Sequence, residues 1–479
     1  MTKDILILTV VISLFFAFWL GAYPLLTPDE ARYSEVAREM VVTGNYITPH
    51  LNGVVMLDKP IFHYWLQATA IKLFGLSEWA LRLCPALFGV LGCLFTYIAG
   101  RLLFERRTGL LAAIILATSP LYFFSAHYAN LDMEIAVLIS AALFTFLIAV
   151  KYSRLYLLWI AYIFAGLAVL TKGLIGIMLP ALIIGIWILW QKQWQVLRSM
   201  YLWSGLLLVI LIASPWYILV QKANPDFFQH FFIGEQFLRY LTPNFANHQP
   251  IWFYIPIILL GFFPWSLFLF CRGEKSFALE KSFAHTDFLY IWIIVVLLFF
   301  SLPSSKLVSY ILPVFPPLAL LIANKIKKPI ITLAIINSII LLALLVFVPQ
   351  NRLPTVKPLI MVLNSMLQPN DIVVSYYNYY YDLPFYTRRQ VSVVADWDTF
   401  MNGSLRDNWK RELWQGRNNQ LAKTWLINNA TFLQKWHSPQ RVFALVNVRY
   451  YDKLNSAVNH QVYPISRYQN TLLVKNHAN

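Results

Sequence analysis

Charged side chains are scarce in this chain of 479 residues. Asp, Glu, Lys and Arg make up only 13% of it, against the roughly 25% usual in soluble domains, while hydrophobic residues make up 59%. A water-soluble fold of this length could not bury so much apolar surface. Apolar stretches of about 20 residues, each long enough to cross a bilayer core, recur from Ile5 to Val348. The sequence therefore predicts an integral membrane protein.

Several signatures of soluble enzymes and of nucleic-acid binders are missing as well. The chain has no Gly-rich phosphate loop, no dinucleotide-binding fingerprint and no paired histidine motif, and its three cysteines are too few for a disulfide framework. No internal repeat stands out, which disfavours a transporter built from inverted repeats. The formal net charge of +16 is expected from basic loops of a membrane protein, so no nucleic-acid partner is predicted.

The apolar stretches predict an all-α polytopic membrane domain with about 11–13 transmembrane helices. The candidate spans are residues 5–22, 80–104, 109–126, 132–150, 155–171, 174–190, 202–220, 252–271, 286–302, 309–324 and 329–348.

Short basic loops join alternate pairs of these spans. Because cytoplasmic loops carry an excess of Lys and Arg, this pattern predicts a multi-pass protein of the bacterial inner membrane with a cytoplasmic N-terminus. The basic residues are Arg101, Arg106 and Arg107; Lys151 and Arg154; Lys192 and Arg198; Arg272, Lys275 and Lys281; and Lys325, Lys327 and Lys328.

The opposite, periplasmic face receives the longer polar segments. Residues 1–348 are predicted to form the transmembrane domain, with an external loop over residues 23–78. Residues 349–479 alternate strand-like and helical patterns and predict a periplasmic α/β domain. Its predicted strands are Asp371–Tyr377, Val391–Ala395, Arg441–Val448 and Gln461–Lys475, and its predicted helices are Val356–Leu367 and Asn419–Gln434.

The external loop begins with a dense group of ionisable residues just outside the first span. Thr27 is predicted to cap a helix, with Pro28 in its first position and Glu30 completing a capping box. On that interpretation the acidic residues stabilise the helix dipole, and Arg32 and Arg38 pair with Glu35 and Glu39 at helical spacing. On the functional interpretation, Asp29 and Arg32, one turn apart, present a carboxylate and a guanidinium to one ligand.

Other charges recur at the external ends of spans. Asp58 and Lys59 lie in the same external loop, Asp132 begins the fourth span, and Lys172 and Lys306 depart from the positive-inside pattern. Each is compatible with a solvated loop end. Together with Arg32, however, the lysines predict one external site for an anion attached to a lipid, because ionisable groups near membrane depth are usually functional.

These residues give the sequence a resemblance to the glycosyltransferase C superfamily over about residues 5–350. It resembles most the lipid A aminoarabinose (4-amino-4-deoxy-L-arabinose) transferases and the protein O-mannosyltransferases. Five motifs carry the resemblance in order: Asp29-Glu30, Asp58-Lys59-Pro60, Leu131-Asp132, Leu170-Thr171-Lys172-Gly173, and Ser305-Lys306 followed by Tyr310-Ile311-Leu312-Pro313.

The resemblance implies an inverting glycosyl transfer from a polyprenyl-phosphate sugar. It assigns catalysis to Asp29 as the carboxylate that acts as general base or orients the acceptor, assisted by Asp132. Binding of the donor's lipid phosphate is assigned to Arg32, Lys59, Lys172, Lys306 and Tyr310, with Glu30, Glu35 and Asp58 in supporting positions.

The sequence departs from the aminoarabinose transferases at two positions that bind zinc in that family. Asp58 stands where they have Glu, and Gln236 stands where they have His. Glutamine is a poor replacement for imidazole. No metal or other cofactor is therefore predicted; a divalent metal, if one bound, would use Asp58 and Glu235.

The predicted function is transfer of a sugar from a polyprenyl-phosphate lipid to an envelope acceptor on the periplasmic face, with lipid A as the acceptor. A protein or polysaccharide glycosyltransferase of the same superfamily is the alternative. A transporter or flippase of lipid-linked anions is the alternative from another class, and it would share the spans and the basic cavity. The predicted partners are the donor lipid, the acceptor and membrane lipids.

Overall fold

The computed structural model describes residues 1–242, 246–270, 283–326, 330–347, 352–397, 408–415 and 422–477. Cys271 and the basic residues Arg272, Lys275, Lys281, Lys327 and Lys328 lie outside these ranges. The chain forms two compact units. The first comprises Met1–Gly21, Asp58–Leu66 and Trp79–Val348, and the second comprises Ala22–Leu57, Gln67–Glu78 and Pro349–Asn479. The predicted division of the chain after residue 348 stays a prediction.

The first unit is almost entirely helical. Its α-helices are Thr2–Ala17, Phe62–Phe74 (which continues into the second unit), Glu78–Leu103, Arg106–Ala117, Pro120–Ala126, Asp132–Lys151, Leu157–Lys172, Ile175–Gln191, Trp194–Ser199, Leu202–Ala223, Arg239–Leu241, Tyr254–Gly261, Phe283–Ser301, Phe315–Lys325 and Ile331–Phe347. A π-helix spans Phe228–Leu238, and 3₁₀ turns span Trp265–Leu269 and Val308–Val314.

The helices of the first unit include several membrane spans. Among the described residues, four helices are long and apolar enough to cross a membrane, and a bent pair of helices raises the number to five. Four shorter apolar helices accompany them, and the chain is a multi-pass membrane protein. The four long helices are Glu78–Leu103, Asp132–Lys151, Leu202–Ala223 and Val308–Lys325. The last of these combines the 3₁₀ turn Val308–Val314 with the α-helix Phe315–Lys325. The predicted number of 11–13 spans stays a prediction.

Proline interrupts two of the predicted spans. The span predicted over 109–126 is two helices that meet at a bend of 67°. Pro120 begins the second of them, and a residue before proline is pushed out of helical geometry, as Ser119 is. The span predicted over 252–271 stops at Gly261, because Pro264 has no N–H with which to continue the helix.

Close helix packing in the first unit depends on two glycines. A side-chain carbon at Gly109 would lie 2.5 Å from the backbone oxygen of Tyr97, and one at Gly100 would lie 2.6 Å from the Cα of Gly109. The helices Glu78–Leu103 and Arg106–Ala117 therefore touch backbone to backbone at this point. Only glycine leaves room for that approach.

The second unit contains a six-stranded sheet, so the predicted C-terminal α/β domain is confirmed as a fold. The strands of the chain are β1 (His50–Leu51), β2 (Val54–Val55), β3 (Ile372–Tyr376), β4 (Ser392–Val394), β5 (Leu426–Ile427), β6 (Val442–Asn447), β7 (Tyr463–Tyr468) and β8 (Thr471–Lys475). β1 and β2 form a separate hairpin, and the sheet has the order β5-β4-β3-β6-β8-β7. β5, β4, β3 and β6 are parallel, whereas β8 runs antiparallel to β6 and β7 antiparallel to β8.

Both faces of this sheet are covered. Along β6, Val442, Ala444 and Val446 pack into one hydrophobic cluster, while Phe443 and Leu445 pack into the other. This period of two explains why strands buried on both faces read as nearly continuous apolar runs. The helices of the second unit are Asp29–Thr43, Lys357–Asn364, Asp382–Thr387, Trp409–Gln415, Ala422–Trp425, Asn429–Trp436 and Tyr451–Ala457, with a 3₁₀ turn over Val448–Tyr450.

The helix predicted over Asn419–Gln434 is wrong as a single element. In its described part, Ala422–Trp425 is one helical turn, Leu426–Ile427 is β5, and a second helix begins after Asn428. The Asn428 side chain accepts a hydrogen bond from the backbone of Thr431 and caps that helix. Pairing with β4 therefore overrides the local helical preference.

We predict that Gly109→Val destabilises the first unit by roughly 3 kcal/mol or more, because its side chain would meet backbone atoms that cannot move independently. Thermal unfolding of the purified full-length chain in detergent measures this. Gly185→Val is the matched control, since a side-chain carbon at Gly185 meets nothing within 4 Å. An equal loss of stability in both variants would contradict the close approach described here.

We also predict that the second unit loses stability as the pH rises through about 6. Asp382 is fully buried, and burial raises its pKa from 3.8 to about 6 despite hydrogen bonds from Thr355 and the backbone of Val356. A raised folded pKa stabilises the fold below the unfolded pKa, and this contribution, about 3 kcal/mol, disappears above the folded pKa. Hydrogen exchange of β3 and β6 amides, corrected for intrinsic exchange, gives the opening free energy at each pH.

Asp382→Asn should remove this part of the pH dependence, whereas replacement of the exposed Asp452 by Asn should leave it in place. A wild-type pH dependence retained in Asp382→Asn would show that another group is responsible.

Candidate functional site

The first unit contains an open cavity of about 450 Å³ that is lined by both charged and apolar side chains. Its lining includes the cations Lys59, Lys172 and Arg239 and the carboxylate of Glu235. Much of the remaining wall is apolar or aromatic and includes Met178, Phe237, Phe299 and Phe300. A cavity whose lining carries more cations than carboxylates and is otherwise largely apolar suits an anionic group carried on a hydrocarbon chain.

The ends of two helices place the central charges of this site. Asp132 is the first residue of Asp132–Lys151, and Lys172 is the last residue of Leu157–Lys172. An acid at a helix N-terminus and a base at a C-terminus both complement the helix dipole. Gly173 ends the second helix with a φ of +85°, a conformation that favours glycine.

Asp132 and Lys172 form an ion pair within this site. The other carboxylate oxygen of Asp132 accepts a hydrogen bond from Ser309, and its backbone N–H donates to Asn130. The Lys172 ammonium also lies over the ring of Tyr310, 4.1 Å from the ring centroid. The structure thus brings together three residues that were predicted from separate motifs: Asp132, Lys172 and Tyr310.

A second ion-pair group lies at the same cavity. The Lys59 ammonium is 3.6 Å from the Glu235 carboxylate, which also accepts a hydrogen bond from Arg239 at 2.9 Å. Glu235 was predicted only as a possible metal ligand, and Arg239 was not predicted. Their position four residues apart on one helical segment is a weak signal that sequence reasoning passed over.

Lys306 is placed differently from the other predicted lysines. Its ammonium is buried and donates hydrogen bonds to the backbone oxygens of Gln249, at 2.8 Å, and Pro303, at 2.5 Å. Pro303 and Ser305 line the cavity beside it. Lys306 thus connects the segments of Gln249 and Pro303 by hydrogen bonds. Its predicted contact with phosphate stays a prediction.

The Asp29 motif lies in the second unit, on the helix Asp29–Thr43. Arg32 donates one hydrogen bond to Asp29 and another to Glu412, each at 2.5 Å. Burial alone would lower the pKa of Arg32, but the carboxylates of Glu412 and Asp29 help to hold it well above its ordinary value. Glu412 was not predicted, because it is 380 residues away from Arg32 in the chain.

The predicted cap of this helix is wrong in detail. The N-cap residue is Pro28 and no side chain caps the helix, since the Thr27 hydroxyl donates to the backbone oxygen of Pro354. Glu30 instead accepts a hydrogen bond from the backbone of Leu26 at 2.8 Å.

The supporting acids of this helix are buried. Glu35 pairs with Arg38 through two hydrogen bonds, which is one of the pairs that the helical spacing predicted. The ion-pair partners of Arg32, by contrast, are Asp29 and Glu412. Burial and the neighbouring Glu35 raise the pKa of Glu39 well above its ordinary value.

Asp58 and Glu235 are the two candidate metal ligands. Among the described residues, no group of three or more His, Cys, Asp or Glu side chains is arranged to hold a metal ion. The Asp58 carboxylate lies 2.8 Å from Nε2 of the His230 ring. The Glu235 carboxylate forms ion pairs with Lys59 and Arg239. Gln236 stands beside them and supplies an amide rather than an imidazole. The donor atoms of these described residues do not fit a metal ion.

The first unit also contains a buried pair that sequence reasoning missed. His63 and Glu134 are both fully buried, with 3.0 Å between the ring nitrogen and the carboxylate. They join the segment that follows Lys59 to the helix that begins with Asp132.

A model of the family described as dolichyl-phosphate-mannose-protein mannosyltransferase matches residues 58–219. The chain is 33% identical to the undecaprenyl phosphate-alpha-4-amino-4-deoxy-L-arabinose arabinosyl transferase of Erwinia tasmaniensis over 333 residues, which cover 67% of this chain and 59% of that protein. It is 35% identical to the transferase 1 of the same description from Proteus mirabilis over 327 residues, 66% of this chain and 59% of that protein. The chain thus spans about 59% of the length of these relatives.

Solved structures show a related fold. The crystal structure of ArnT from Cupriavidus metallidurans bound to undecaprenyl phosphate has a TM-score of 0.81 and 24% identity, covering 100% of this chain and 98% of that chain. The archaeal oligosaccharyltransferase AglB from Archaeoglobus fulgidus, in complex with an inhibitory peptide and a dolichol-phosphate, has a TM-score of 0.50 and 14% identity, covering 100% and 74%. The family model and the two relatives confirm the resemblance predicted from the motifs, to the glycosyltransferase C superfamily and within it to the lipid A aminoarabinose transferases and protein O-mannosyltransferases.

Proposed function

We propose that this chain is an inverting glycosyltransferase that moves a sugar from a polyprenyl-phosphate donor to lipid A on the periplasmic face of the bacterial inner membrane. In this proposal the sugar is aminoarabinose, as in the names of the relatives from Erwinia tasmaniensis and Proteus mirabilis. The N-terminus is cytoplasmic, and the external loop and the C-terminal α/β domain are periplasmic, as the basic loops indicate.

The observation that carries the proposal is the cavity of the first unit. Lys59 and Lys172 stand at its lining with Tyr310, while its apolar walls suit a hydrocarbon chain. A phosphate monoester or diester needs cationic hydrogen-bond donors, and a polyprenyl chain needs an apolar wall. The ArnT structure from Cupriavidus metallidurans was solved with undecaprenyl phosphate, a ligand of this chemistry.

The proposed reaction breaks the bond between the anomeric carbon of the sugar and the phosphate oxygen of the carrier lipid. The acceptor oxygen attacks that carbon from the opposite side and forms the new glycosidic bond, which inverts the configuration. Negative charge develops on the departing lipid phosphate, and Lys172 and Lys59 stabilise it. Asp132 holds Lys172 in position through their ion pair.

Asp29 is the proposed catalytic carboxylate. With a hydroxyl acceptor it removes the proton as the new bond forms. A phosphate group of lipid A is already anionic and nucleophilic, so there Asp29 orients the acceptor rather than activating it. Arg32 fixes the direction of the Asp29 carboxylate through their hydrogen bond.

We predict that cells lacking this protein lose a sugar from lipid A. Mass spectrometry of lipid A should show a pentosamine-sized addition restored by the native chain and not by Asp29→Asn, because the substitution removes the carboxylate without changing side-chain size. Asp452→Asn, which changes an exposed carboxylate of the second unit, should restore the addition and is the control.

A hexose-sized addition would identify a different sugar on the same acceptor. Lipid A that is identical in all strains would exclude lipid A as the acceptor, and the released glycans of envelope proteins and polysaccharides would then be compared in the same strains.

We predict that Lys172→Met lowers kcat/KM for the polyprenyl-phosphate sugar by roughly 10- to 100-fold. A lost hydrogen bond to a charged group is worth about 1.5–3 kcal/mol. The assay uses the purified full-length chain and follows release of the lipid phosphate. Lys151→Met is the matched control, because Lys151 lies at the other end of the helix that begins with Asp132. Its ammonium donates to the backbone oxygens of Leu102 and Leu103.

Lys172→Met also leaves Asp132 without its cation, so folding must be checked. The double variant Lys172→Met/Asp132→Asn removes both charges and should unfold closer to the wild-type temperature while staying inactive. Wild-type kcat/KM in a folded Lys172→Met protein would rule out the assigned role.

A further inference from the structure

Glu412 reaches the Asp29 motif from the C-terminal part of the chain. It lies on the helix Trp409–Gln415, whose start is stabilised by Asn408, because the Asn408 side chain accepts from the backbone N–H groups of Lys410 and Arg411. One oxygen of the Glu412 carboxylate accepts from Arg32, and the other accepts from the Tyr381 hydroxyl at 2.7 Å. Both oxygens of Glu412 are thus fixed by named donors.

The two carboxylates occupy different ends of the Arg32 guanidinium. Nη1 donates to Glu412 and Nη2 donates to Asp29. The guanidinium is planar and rigid, so fixing one end sets the direction of the other. Arg32 also lies over the ring of Tyr33, at 5.1 Å, and near that of Tyr381, at 5.9 Å. These contacts limit the rotations by which Arg32 could leave Asp29.

The three side chains differ in how much of their surface is exposed to solvent. Arg32 and Glu412 are each 14% exposed, whereas Asp29 is 24% exposed. Asp29 is therefore the member of the group most open to a ligand. Glu412 accepts from Nη1, which is not the nitrogen that donates to Asp29, and Tyr381 donates to Glu412.

We infer that Glu412 is a positioning residue for the Asp29 carboxylate and acts through Arg32. The inference rests on the proposed function, in which Asp29 is the catalytic carboxylate, and deepens it. The C-terminal part of the chain then contributes to the reaction through the contact of Glu412 with Arg32. Arg32 has two carboxylate partners in this arrangement, so it would have to give up one of them to bind a lipid phosphate.

The inference is tested by steady-state kinetics of the full-length chain with Glu412→Ala and Glu412→Gln. The alanine variant should lower kcat by roughly 10- to 100-fold with KM for the polyprenyl-phosphate sugar within two-fold of wild type. The glutamine variant should recover a large part of kcat, since its amide oxygen can still accept from Arg32. Loss of stability alone would not separate kcat from KM or produce this recovery.

Glu78→Ala is the matched control. Glu78 also accepts hydrogen bonds from a cation, Lys357, and from a tyrosine hydroxyl, that of Tyr386. Its loss removes the same kinds of contact in the same unit, yet kcat should stay within two-fold of wild type. Thermal unfolding of both alanine variants shows whether their stability losses match. If Glu412→Ala does not fold, Tyr381→Phe, which frees only one oxygen of Glu412, should lower kcat by several-fold.

Three results would overturn the inference: a folded Glu412→Ala protein with wild-type kcat, equal losses of kcat in Glu412→Ala and Glu78→Ala, or, if Glu412→Ala is unfolded, wild-type kcat in Tyr381→Phe. If Asp29→Asn is inactive in that case, the proposed function stands and only the role of Glu412 fails. If the wild-type chain transfers no sugar at all, it is the proposed function that fails.

Discussion

The ion pair between Asp132 and Lys172 joins three elements of the first unit, because Ser309 binds the same carboxylate from the turn Val308–Val314. Neither charge could remain unpaired in these largely buried positions, since an uncompensated buried charge destabilises a fold by several kcal/mol. Each helix end therefore depends on the other for its position. The cavity lies beside this junction, so the pair that stabilises the fold also orients a cation toward the space available to a ligand.

The second unit holds its charges by a related principle with a different cation. Arginine, unlike lysine, can bind two carboxylates along fixed directions, and Arg32 uses this to connect Asp29 with Glu412. Tyr381, the second donor to Glu412, follows β3 in the chain. β3 belongs to the six-stranded sheet, and both faces of that sheet are buried. In the proposed mechanism, binding of the leaving phosphate and alignment of the acceptor thus rest on separate ion-pair groups.

Local patterns in the sequence predicted much of the fold. Apolar length identified the helices of the first unit, and short strand-like runs such as Arg441–Val448 identified the strands of the second. The errors arose where one residue or a distant partner overrode a pattern. Pro120 and Pro264 interrupted apolar runs that had the length of a span. Leu426–Ile427 pairs with β4 as a strand, although the surrounding sequence favours a helix. Hydropathy averages hide a missing N–H, and no local signal reports the edge of a sheet.

For the site, the sequence by itself determined the residue types and their order: an acid after the first apolar stretch, lysines in the external segments and the tyrosine at 310. It could not distinguish the surroundings of Lys172 from those of Lys306, because both lysines lie beside apolar stretches. Tertiary structure places the Lys172 ammonium beside Asp132 and Tyr310 and the Lys306 ammonium among backbone oxygens. The predicted contacts of both lysines with phosphate stay predictions. Glu412 was likewise invisible, since its partner is 380 residues away. Electrostatic energy depends on distances of a few ångströms, and only the folded chain sets those distances.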